Sequence, residues 1–122
     1  MINNLYILVL FLLSSSIHAD EPLAIITKSR GTTQYKLSSE KKFLTHAKVK
    51  TPIFPGHNIK TKEKSFSQIV YLDDRSTVSA YPKTEVTING IIENRMISKQ
   101  VDLTRGIIRV KVFYQNVNAF KL

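Results

Sequence analysis

Apolar residues recur at every second position through most of this chain. Val78 and Ala80, Val86 and Ile88, Val101 and Leu103, and Ile108, Val110 and Val112 all keep that period, which is the signature of extended strands. In the last group Arg109 and Lys111 occupy the opposite, outward parity. Across Gln68–Leu72, Val70 and Leu72 share one parity while Ile69 and Tyr71 share the other, a pattern expected of a strand covered on both faces. Nearer the start, Leu23–Lys28 predicts a first strand stopped near Gly31. Thr32–Leu37 alternates weakly, Ser38–Lys42 is a polar turn, and Phe43–Lys50 is a further candidate strand. Thr51–Asn58 holds two prolines and a glycine; it reads as a loop, because proline cannot donate to a ladder. Asn89-Gly90 follows Ile88 directly and predicts a tight hairpin with Ile91 starting the return strand, since a type I′ turn needs two residues tolerant of positive φ. No segment beyond the first twenty residues sustains a helical period. The expectation is all-β: a single small antiparallel-rich domain, either a sandwich or a solenoid-like roll.

The first twenty residues differ in kind. Leu5–Leu13 is an unbroken apolar run, followed by small polar residues, Ala19 and the first charges at Asp20 and Glu21. That layout predicts a secretory signal peptide, residues 1–19, with cleavage after Ala19. The segment carries no Lys or Arg, and Ile17 is bulkier than usual three residues before a cut. The run is shorter than the roughly 20 residues of a spanning helix, so export to the periplasm or exterior ranks above a retained N-terminal anchor. Residues 20–122 then form one domain, without a transmembrane helix and without cysteine, so neither disulfides nor thiolate-bound zinc support the core.

The formal charge of +9 is unevenly spread. Ten Lys/Arg and two Glu lie between Lys28 and Lys64, against eight Lys/Arg and five Asp/Glu from Ser65 onward. Lys36, Lys41, Lys42, Lys48, Lys50, Lys60, Lys62 and Lys64 form the candidate basic face. Such a face suits an acidic envelope protein or an anionic envelope polymer; for an exported chain, nucleic acid is disfavoured. A solvated lysine-rich surface with no partner is the competing account.

Candidate chemistry centres on Asp73-Asp74-Arg75-Ser76. With His57, Ser76 and either acid would supply hydrolase residue types, but a triad is defined by geometry, and Asp and Ser are also turn formers. The turn explains all four residues, and no enzyme is expected. His46 and His57 stand eleven positions apart with no carboxylate at ligand spacing, fewer ligands than zinc requires. Tyr35, Phe43, Phe54 and Phe66 lie among the lysines, which keeps a basic OB-like barrel binding polyanions or nucleic acid as the alternative. Four glycines cannot build a phosphate cradle, and no cofactor is expected.

The order of these landmarks resembles the FecR domain family of bacterial envelope regulators. Gly56-His57-Asn58-Ile59-Lys60-Thr61 is similar to the family's Gly-Asp-x-apolar-x-Thr element, with His57 in place of the acid. Val70, Leu72, Asp74-Arg75-Ser76, Val78, Ala80, Pro82, Val86 and Ile88 follow its next block, with Arg75 in place of glycine. Val101, Leu103, Gly106, Ile108 and Val110 match its closing block. The resemblance covers residues 50–112 and marks Gly56, Asp74, Ser76 and Gly106 as turn motifs. It implies a non-catalytic, stand-alone exported domain mediating protein–protein recognition, in envelope signalling or envelope assembly. Arg75 is then expected to avoid the left-handed region or to be strained there. Family members continue past the last block with a further strand and an Arg-Gly-Thr element where this sequence ends, so the resemblance implies either a C-terminally truncated product or dispensable closing strands; a missing closing strand would expose a sheet edge, expected near Val110–Phe120.

Overall fold

The computed structural model describes residues 21–37, 39–43, 46–113 and 120–121, so the proposed leader, its cleavage point and residues 114–119 fall outside the described residues. Among the described residues there is no helix. Ten strands form two five-stranded sheets: β1 (Ala24–Arg30), β2 (Thr33–Leu37), β3 (Pro52–Ile53), β4 (His57–Thr61), β5 (Phe66–Tyr71), β6 (Thr77–Ala80), β7 (Glu85–Glu93), β8 (Met96–Arg105), β9 (Ile108–Lys111) and β10 (Phe120–Lys121). The first sheet runs β3-β1-β5-β6-β9 and the second β10-β8-β7-β4-β2. Every pairing is antiparallel except β10 with β8. The expected all-β domain is what the chain forms.

The period of two explains the core. Ile26, Ile53, Ile69, Tyr71 and Val78 from the first sheet meet Ile59, Val86, Ile88, Ile97 and Val101 from the second in one cluster. Full burial of an aliphatic side chain of this size contributes roughly 1.5–3 kcal/mol, so this shared layer holds the sheets face to face.

Four local expectations need correction. β5 is fully buried on one side only: Ile69 and Tyr71 are buried, whereas Val70 is half-buried and Leu72, just past the strand, is half exposed. Leu103 is likewise exposed beside the buried Val101. The described part of Phe43–Lys50 is not a strand, because His46 and Lys50 adopt φ of 73° and 76°, which interrupts extended backbone. The presumed loop Thr51–Asn58 contributes β3 and the start of β4. Pro52 fits there because β3 is an edge strand.

The hairpin turn also lies elsewhere. β7 continues straight through Asn89-Gly90, and the chain reverses at Asn94-Arg95, where φ is 50° and 64°. Register decides this. A turn at Asn89-Gly90 would set Val86 opposite Glu93, while the observed turn sets Ile88 opposite Val101 and Val86 opposite Leu103. Gly90 serves a different need: a Cβ there would approach Ile97 Cγ2 and Ser98 O to 2.9 Å.

Gly106, by contrast, is a true turn glycine between β8 and β9. Its φ is 93°, and a Cβ would lie 2.5 Å from Thr84 Cα. The Thr84 hydroxyl accepts from Ile107 N at 3.0 Å and lies 3.1 Å from Ile107 O. This contact positions the start of β9.

Candidate functional site

Asp73–Ser76 connects β5 to β6 as a turn. Tyr71 N donates to Ser76 O and Arg75 N to Tyr71 O, and the Asp74 side chain accepts from Ser76 N at 2.9 Å, the bond that makes Asp a turn former. Arg75 sits at φ 64°, so it occupies the left-handed region that it was expected to avoid or to be strained in.

The turn is also locked to the opposite sheet. Lys99 of β8 is fully buried, and its Nζ lies 2.8 Å from Asp73 Oδ2 and 3.1 Å from Asp74 Oδ2. It donates as well to Ile97 O at 3.1 Å and sits 5.4 Å from the Tyr71 ring centre. Asp73 Oδ2 accepts further from Ile97 N. An ammonium has three donors, and all three are engaged. Burial alone would raise the Asp74 carboxyl; the Ser76 backbone and hydroxyl, and then Lys99, outweigh it and hold the group below its ordinary value. Burial pushes the Tyr71 phenol far up, with Asp73 and Asp74 adding to the effect, and its hydroxyl donates to Asn89 O at 3.0 Å. The cluster, two carboxylates around one ammonium, is a clamp between the sheets.

His57 is placed apart from this clamp. Its Nδ1 accepts from Phe54 N at 2.9 Å, and its ring packs edge-on against Tyr35 and Phe54. Burial lowers its pKa below 6.5, and Glu40 acts in the opposite sense. Asp73, Asp74 and Ser76 are thus gathered around Lys99, while His57 is held by the β3–β4 turn. His46 is exposed in the segment before β3. Gly56 N donates to Ile88 O, joining that turn to β7.

The eight lysines of the candidate basic face are dispersed. Lys36 and Lys60 share the outer side of the second sheet, 5.2 and 5.4 Å from the Phe43 ring centre. Lys41 and Lys42 are exposed between β2 and β3, as are Lys48 and Lys50. Lys62 and Lys64 lie in the β4–β5 connection, beyond the Thr33–Thr61 end of the β2–β4 pair, whereas Lys36 lies near its Leu37–His57 end.

A second basic surface surrounds β9. Arg109 and Lys111 line a groove on the outer face of the first sheet with Phe66, Tyr81 and Phe113, floored by Gln68, Thr77 and Ser79. Neither cation forms an ion pair among the described residues. β9 ends its sheet, and no described residue pairs with its far side. Tyr81 N donates to Ile107 O, and antiparallel ladder bonds recur at alternate residues. Arg109 and Lys111 therefore direct their backbone groups to β6, while Ile108 and Val110 direct theirs to the open side. Exposed Ile107, Val112 and Phe113 flank the strand.

Lys99 was absent from the candidate residues, yet the alternation Ile97, Lys99, Val101 sets a lysine on an apolar face and signals a buried carboxylate partner. The groove could not be found that way, because Phe66, Tyr81 and Arg109 come from three separate stretches of the chain. No protein-family model, no curated protein and no solved structure matches the chain.

Proposed function

We propose that this chain is an exported, non-catalytic recognition domain of FecR type that captures an extended segment of an envelope protein by adding it to β9. The observation that carries the reading is the side of β9 that no described residue pairs, with the Ile108 and Val110 backbone groups directed outward between exposed Ile107 and Val112. Strand addition draws affinity from main-chain hydrogen bonds and needs no catalytic side chain. The net charge of +9 steers an acidic partner toward this surface.

One observation favours a second reading. The groove beside β9 combines Arg109 and Lys111 with three aromatic rings, a combination that also suits a polyanion. Immobilised protein presented with envelope extract distinguishes them. The strand-addition reading predicts a retained protein that Val110→Pro loses, since proline removes an outward N–H without removing a β6 bond. Retention unchanged by Val110→Pro and abolished by heparin would contradict it.

A further inference from the structure

The chemistry around β9 also specifies the partner segment. Side chains of an added antiparallel strand alternate between the two faces of the sheet. On the outer face they would stand beside Arg109 and Lys111, both exposed and without an ion pair among the described residues. Directly opposed side chains lie about 4.5–5.5 Å apart, so opposite charges there are favoured and like charges disfavoured. On the inner face they would stand beside Ile108 and Val110, which are half buried and pack on the core. We infer that the occupant of this edge is a segment of another protein in which acidic and apolar residues alternate, the acids meeting Arg109 and Lys111 and the apolar residues extending the core. This rests on the strand-addition reading.

Two other occupants fit less well. A second copy pairing through β9 with both cores on one side would set Arg109 and Lys111 against the same cations. The chain's own residues outside the described part hold a single acid, Asp20, so they cannot supply the alternating acids.

The test uses residues 20–122 and three synthetic peptides: one alternating Glu with Val and Ile, one of identical composition with the Glu residues clustered, and one alternating Lys with Val and Ile. The alternating Glu peptide is expected to bind and to shift the Ile108 and Val110 amide resonances. Arg109→Glu with Lys111→Glu should weaken it about tenfold and gain affinity for the Lys peptide. Val110→Pro has no amide of its own at that position, so the readout is Ile108, whose peptide-induced amide shift should be lost while the charge is unchanged. Equal binding of the Lys peptide to the parent protein, with those amides shifted, would overturn the acidic partner and leave strand addition standing. Equal binding of clustered Glu or of heparin, insensitive to Val110→Pro, would overturn it in favour of a polyanion surface. No amide shift with any peptide would overturn strand addition itself.

Discussion

Lys99 shows how a single residue ties the two sheets together. Its ammonium is engaged by Asp73, Asp74 and Ile97 O, all within 3.1 Å. Removing one partner of a buried ion pair leaves the other charges uncompensated, at about 3–5 kcal/mol. Lys99→Met should therefore lower stability by that order in urea unfolding, although methionine is the more apolar residue. His57 adds a pH dependence. Its folded pKa lies below the unfolded 6.5 because burial disfavours the imidazolium, and protonating Nδ1 would also break its bond from Phe54 N. The unfolded chain binds more protons in this window, so stability falls as pH drops below about 6.5. A melting temperature that is flat from pH 7.5 to 5.5 would contradict this. Asp74 acts at the acid end: its lowered pKa contributes stability that is present above 3.8 and lost as pH falls through its folded value.

At the scale of elements, register overrides the local turn signal. Asn89-Gly90 is the stronger hairpin dipeptide, yet Asn94-Arg95 makes the turn, and that register pairs Ile88 with Val101 and Val86 with Leu103 rather than with Ile91 and Glu93. Arg95 at φ 64° is strained where glycine would not be. Arg95→Gly should stabilise the domain by about 1 kcal/mol. Gly90→Ala should destabilise it through the 2.9 Å approaches to Ile97 and Ser98. Opposite signs in chemical denaturation would place the turn at Asn89-Gly90. The strands themselves were legible because period two survives in Val78–Ala80, Val86–Ile88 and Ile108–Val110. The turn position was not, because it depends on which distant residues meet. Phe43–Lys50 misled for a related reason: nothing in its composition reveals the positive φ at His46 and Lys50. The Asp73–Ser76 turn was legible from Asp and Ser alone, whereas its bond to Lys99 joins residues 26 positions apart.

For the whole molecule, the two sheets are closed against each other by one core but are unequal at their margins. β3 and β2 are short outer strands, and β10 lies beside β8. β9 alternates apolar and basic residues, with Arg109 and Lys111 on its outer face. Basic side chains are a common guard on sheet edges against self-association, and on the proposed reading they also select the partner that can approach. The candidate lysines between Lys36 and Lys64 are spread over loops and the second sheet; on the proposed reading they act as a diffuse field that steers encounter. Recognition then depends on whether the backbone of β9 is open in the isolated domain. Residue-resolved amide hydrogen exchange of the free protein measures this directly. Fast exchange at Ile108 and Val110, with slow exchange at Arg109 and Lys111, is the predicted result; equal protection at all four would mean that the edge is already closed, and would contradict the account.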